Sequence, residues 1–442
     1  MKNRSYVSTL SSVSVQRASS QVILLLPILA VWIATNAHAA SATWDLNPSN
    51  GDWNTAANWT PPTVPNGSGD TVSFAVSNIA AVSLSSDTEV GRITFDSGAS
   101  EFNIIVSPLR TLTISGDGIS NNSDISENFS IVVDSVSNTG TMIFTHSATA
   151  GNMTTFTNEA NATNVFAFGA STRFLETSSA DHGTFINNGA ATSDAFGGVT
   201  EFFAESSAAN ATIFNQPGLV QGAHGGTTFV LDVAHADKAT FISNGANVSG
   251  ADGGNTTFSH RSRADDATLI ANGGVNGGGG GQIVFAEASS GAASRVELFG
   301  NGFLDLSTRF SGNGIRIGSI EGDGVVILGT EPLKVGSNSL STLFSGVIQS
   351  FGAITKVGAG TLTLSGANTY TGGTTVTGGT LNINNRSGSG TGTGAVSVSG
   401  GTRAVGALFR ARLRLGLGAG RARSSTLAKA QASRSPLPSR AS

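Results

Sequence analysis

The chain has no cysteine among its 442 residues, which excludes disulfide staples and thiolate metal sites and leaves the compartment open. Charge is scarce as well. Asp, Glu, Lys and Arg make up 12% of residues, about half of the roughly 25% usual for soluble domains, so Ser, Thr, Asn and Gly must cover the surface. Long helical patterns of Leu, Glu and Lys are absent. The longest apolar run, 22–34, has 13 residues, short of the about 20 that cross a bilayer. Disorder does not follow from these absences, because 39% hydrophobic residues suffice for a core.

Acid is missing from both ends. Residues 1–40 hold three basic side chains and 403–442 hold nine, with no Asp or Glu in either stretch. The body, 41–402, is left with 12 basic against 28 acidic side chains, a net charge of −16. The front end reads as an export signal: a basic, Ser-rich 1–17, an apolar 22–33, and Ala37, His38 and Ala39 as a small-x-small cleavage site. The mature chain is therefore expected to have no transmembrane helix and to be secreted or held at the cell surface. After Thr402 the sequence turns to R-A-V-G-A-L-F-R-A-R-L-R, without strand alternation. This stretch is expected to be a disordered basic tail. A role for it in binding anionic lipid or nucleic acid is weighed against out-of-frame translation of a GC-rich gene, and the second is preferred; no nucleic-acid partner is expected.

The body repeats. Thr172, Thr200, Thr228 and Thr256 lie 28 residues apart, as do Thr184, Thr212, Thr240 and Thr268, and Ala180, Ala208, Ala236 and Ala264. Each unit carries two short patches alternating with period two, separated by small residues and closed by turns such as Asn244-Gly245. A unit this short cannot bury its own apolar side chains and must stack on its neighbours. Helical arrays share similar periods, but Gly, Asn, Thr and Ser at this density oppose helix. The fold class is all-β, a solenoid of stacked coils.

Candidate chemistry is thin. The six histidines form no HExxH motif and no i, i+4 pair, and read as exposed loop residues. Asp265 and Asp266 resemble paired glycosidase carboxylates, but adjacent strand residues point to opposite faces, so they are taken as repeat decoration. No catalytic residue, cofactor or metal site is expected. Trp44, Trp53 and Trp59 are the only tryptophans after residue 40. They are expected either to contact carbohydrate or to cap the open solenoid end, with capping preferred.

The most legible stretch is G-A-G-T-L-T-L-S-G-A-N-T-Y-T-G-G-T-T-V-T-G-G-T-L-N-I-N, 358–384, which reads as three strands and three corners. It resembles the autotransporter-associated β-strand repeat of Gram-negative surface proteins. The opening W-D-L-N-P-S-N-G-D-W-N is similar to the start of such proteins. The resemblance implies a right-handed parallel β-helix passenger without a particular activity. It also implies a membrane β-barrel translocator, which is not seen in this chain.

The expected organisation is an export signal at 1–40, a Trp-rich cap at 41–74, a solenoid at 75–402 and the tail at 403–442. The solenoid would have on the order of 14 coils about 4.8 Å apart. The expected function is structural or adhesive, toward extracellular matrix or cell-surface glycans. The alternative is a β-helix enzyme acting on extracellular polysaccharide. Such an enzyme would gather two or three carboxylates in a flank cleft, and none is expected.

Overall fold

The computed structural model describes residues 41–163, 168–310, 312 and 314–405. The export signal expected at 1–40, and the tail from 406 onward, lie outside the described residues. Short strands alternate between two sheets of 14 strands each, with a third sheet of five strands toward the C-terminal side. Paired strands are parallel throughout, apart from Ser41–Trp44 with Trp59–Thr60. The protein is a β-solenoid of about 14 turns, roughly 65 Å long at about 4.8 Å per strand. Among the described residues no helix is long and apolar enough to cross a membrane.

Register follows the sequence period. Thr172 pairs with Thr200, Thr200 with Thr228, and Thr228 with Thr256. Toward the C-terminal side the coils shorten, so that Ile354 pairs with Thr374 and Thr361 with Thr380. There each coil gains a strand of the third sheet, such as Ile354–Lys356. In the 28-residue coils that side is reduced to single bridges at Ser179, Ser207, His235 and Arg263.

Alternation puts one side of each strand into a single continuous core. Phe144, Phe174 and Phe202 stack at 4.8 and 4.9 Å, and Phe129, Phe156 and Phe185 at 4.8 Å. Rings repeat at the strand spacing because equivalent positions are neighbours in the stack. Beside them runs a buried polar column. Asn158 Nδ2 donates to Asn187 Oδ1 and Asn187 Nδ2 to Asn215 Oδ1, both at 2.8 Å. Thr172, Thr200 and Thr228 donate to Asn158, Asn187 and Asn215 at 2.8–2.9 Å. A glycine leads into the strand Thr227–Val230 beside this column: a Cβ on Gly226 would lie 2.0 Å from the Asn187 carbonyl oxygen.

The opposite corner is built from left-handed residues that are mostly not glycine. Asp181, Ala209, Asp237 and Asp265 have φ of 48, 49, 47 and 41°. The carbonyl of each accepts an N–H from the next coil at 2.8 Å, from Asn210, Lys238, Asp266 and Ala293. Stacking repeats the same strained bend and satisfies its backbone each time.

The ends of the stack are continuous with its sheets. Ser41–Trp44 and Gly67–Phe74 pair in parallel within the first sheet, so the stretch expected as the cap, 41–74, contributes strands to the solenoid itself. At the other end, Thr402–Val405 pairs with Thr380–Ile383. The last strand thus runs past the boundary expected at 403, because ladder hydrogen bonds are made by the backbone whatever the side chains.

Candidate functional site

Second-sheet strands in the repeat region, such as His182–Asn187 and Thr212–Asn215, hand over to long loops at 188–198, 216–226, 244–254 and 272–281. Each loop closes on itself at its base: Gly198, Gly226, Gly254 and Gly281 donate to the carbonyls of Asn188, Gln216, Asn244 and Asn272 at 2.7–2.8 Å. The loops also bond to one another, as from Asp194 N to Gly222 O, Gly222 N to Gly250 O and Gly250 N to Gly277 O at 2.8–3.2 Å. A small alanine core, Ala190, Ala195 and Ala223, fills the stack. These loops therefore form a ridge held by repeated backbone hydrogen bonds.

Along the loops of the ridge runs a groove of about 990 Å³. Side-chain amides line it in a row: Asn188, Gln216, Asn244 and Asn272. Asn272 Nδ2 donates to Asn244 Oδ1 at 2.9 Å, and Asn244 Nδ2 to Gln216 Oε1 at 3.2 Å. Each amide keeps further donor or acceptor capacity. Leu219 lines the groove and is 57% exposed, while Val220, Val248 and Val275 repeat along the ridge as exposed apolar side chains. Glu159 is the one carboxylate among the lining residues, and its Oε2 accepts the Val133 N–H at 2.9 Å. The surface is amide-rich and partly apolar with a single carboxylate, suited to hydrogen-bonding and covering an extended uncharged chain.

Carboxylates do gather elsewhere. His235, Asp237 and Asp265 bring ligand-type atoms within 4.8 Å of one another, but they do not line the groove. Asp265 is held by His235 Nδ1 at 2.9 Å and Arg263 Nε at 3.0 Å, and Asp237 accepts from Ser207 Oγ. Asp265 and Asp266, expected on a strand, occupy a turn, so strand alternation does not separate them. On the second sheet Glu297 lies opposite Glu321, and Arg295 Nε reaches both, at 3.1 and 2.5 Å. Burial pushes the Glu297 carboxyl up, Arg295 opposes that and Glu321 adds to it.

Trp44, Trp53 and Trp59 are brought together at the first turn, where Trp59 packs edge-on to Trp44 and Trp53 at 5.0 and 5.1 Å. All three are buried, and their indole N–H groups donate to the carbonyls of Ile79, Pro65 and Trp53. A sugar platform needs an exposed ring face, which these three do not offer. Asp52 and Trp53 also bond along Ser83, covering the edge of the outermost second-sheet strand.

The groove amides escaped the sequence reading, although a signal existed: Asn188, Gln216, Asn244 and Asn272 are spaced by 28 residues, like the threonines.

A family model described as the passenger-associated-transport-repeat matches residues 354–383. These residues hold Ile354–Lys356, Thr361–Leu364, Thr374–Val376 and Thr380–Ile383, so the matched segment builds consecutive sides of the short coils. Repeat and solenoid together fit an autotransporter passenger-type repeat protein. The part of 358–384 that carries the resemblance, 361–381, falls wholly within the match. No curated protein and no solved structure matches the chain. A passenger-type repeat is consistent with a secreted or surface location.

Proposed function

We propose that the chain is the passenger-type portion of a protein displayed at, or released from, the cell surface, and that it acts by adhesion without catalysis. The observation that carries the reading is the row of amides in the flank groove. It offers repeated neutral hydrogen bonding beside an exposed apolar stripe, which matches the hydroxyls and C–H faces of a neutral glycan. β-Solenoids carry many roles, so the site and not the fold decides the function.

The test compares cells with and without the gene, and cells producing Asn244→Ala/Asn272→Ala, for attachment to glycan-coated surfaces, with the protein located by immunostaining. Loss of the gene and the double substitution should both reduce attachment while the protein stays outside the cell. Unchanged attachment in both, or a cytoplasmic protein, would overturn the reading. The competing reading, an enzyme on extracellular polysaccharide, draws on the carboxylate pairs at Asp237/Asp265 and Glu297/Glu321. Turnover of pectin or alginate by the purified protein, lost in Asp265→Asn or Glu297→Gln, would establish that reading instead.

A further inference from the structure

Outside the groove, a second cavity of about 300 Å³ opens beside the third sheet, lined by Ala288, Ser289, Ser290, Arg309, Gly314, Ile315, Arg316 and Lys334. Three of these carry positive charge and none is acidic. In a body of net charge −16 over 41–402, such a concentration of one sign is out of keeping with the rest of the surface.

Arg316 and Lys334 are register partners on adjacent strands, Ile315–Ile317 and Leu333–Val335. Like charges placed directly opposite on a sheet repel. Neither side chain has an ion pair among the described residues, so no such pair offsets the repulsion there. Arg309 is different. It is buried, its Nη1 donates to Ser289 O and to Ser289 Oγ at 3.2 Å, and its Nη2 donates to Gly314 O at 3.4 Å. The Glu331 carboxylate acts on Arg309 and accepts the N–H groups of Gly312 and Gly314 at 3.0 and 2.8 Å. Arg309 is thus a fixed wall with its own counter-charge, and Arg316 and Lys334 supply a surplus of two cations.

We propose that this pocket binds the anionic group of an acidic sugar, a uronate carboxylate or a sugar sulfate, with Arg316 and Lys334 as the charge-recognising residues. The cavity sits at the lower limit of small-ligand sites, about 300–1,000 Å³. That suits one charged ring better than a polymer threaded through. The two cations flank a common space, so an anion between them converts a repulsive pair into two attractive ones. The pocket shares no residue with the amide groove, and the proposal stands whether or not the groove binds a glycan.

The experiment titrates the purified full chain with glucuronic acid, glucose 6-sulfate, glucose and inorganic sulfate, by calorimetry at low and at high salt. A parallel set uses Arg316→Gln/Lys334→Gln, with Arg386→Gln as an exposed cation elsewhere. The charged sugars should bind, glucose should not, and added salt should weaken binding. The double variant should lose at least tenfold in affinity while its circular dichroism stays that of the wild type, and Arg386→Gln should bind normally. Absence of binding by either charged sugar at low salt, or equal binding by the double variant, would overturn the proposal. Inorganic sulfate binding as tightly as the charged sugars would overturn its assignment to a sugar.

Discussion

Replacing Asn187 with alanine tests whether the buried amide column holds the coils together. Asn187 donates to Asn215 Oδ1, Thr227 O and Thr228 Oγ1 at 2.8, 3.0 and 3.2 Å, and accepts from Asn158 Nδ2 and Thr200 Oγ1 at 2.8 and 2.9 Å. Alanine strips two buried donors, Asn158 Nδ2 and Thr200 Oγ1, of their nearest acceptor. Each stripped buried group costs about 1–3 kcal/mol. Asn158 keeps a 3.3 Å bond to Thr200 Oγ1, which places the expected loss at the lower end, about 2–4 kcal/mol. Asn244→Ala removes a similar pair of amide bonds in the groove, but water reaches that site and replaces them, so less than about 1 kcal/mol is expected. Guanidinium unfolding followed by circular dichroism gives the comparison. Hydrogen exchange over 171–230 shows whether loss is local, since stacked repeats need not unfold in one step. Equal costs at the two positions, or a loss below about 0.5 kcal/mol for Asn187→Ala, would refute the reasoning.

Trp53→Ala empties the aromatic cluster at the first turn and should cost about 3–5 kcal/mol, read as faster exchange across 41–95 with the C-terminal coils unchanged. Ala209 holds φ of 49°, so Ala209→Gly should stabilise by about 0.5–1 kcal/mol; a measurable fall in melting temperature would contradict the stacked left-handed corner. Burial pushes the Glu127 carboxyl up, against the lowering effect of the Phe102 N–H and Ser123 hydroxyl, with Glu101 raising it further. Its favourable contribution is therefore present below the ordinary glutamate range and is lost as pH rises through the raised value. Melting temperatures at about pH 4 and about pH 7.5 should show the advantage of wild type over Glu127→Gln shrinking toward the higher pH, and growth of that advantage would sink the assignment.

Much of the fold was legible because a parallel stack makes residues one period apart into neighbours. The 28-residue spacing of the threonines became the register of the first sheet without adjustment, and period-two patches became strands. What those threonines do was not legible. Thr200 is polar, yet it is fully buried, because its partner Asn187 approaches from the other sheet. Gly198, Gly226 and Gly254 share the same 28-residue spacing, a signal that could have located the tight corner. The groove and the cation pocket were less accessible still, since their residues come from successive coils or from different sides of the stack.

The sequence by itself determined an all-β repeat, its period, its alternation and the passenger-type segment at 358–384, because these depend only on spacing along one chain. The tertiary structure decided which polar residues are buried, that Asp181, Asp237 and Asp265 bend through left-handed φ, and that Arg316 faces Lys334 across the third sheet. At Asp181, Asp237 and Asp265 the left-handed bend comes with a hydrogen bond from the next coil to its carbonyl. A charge becomes costly or useful only through what the stack places opposite it.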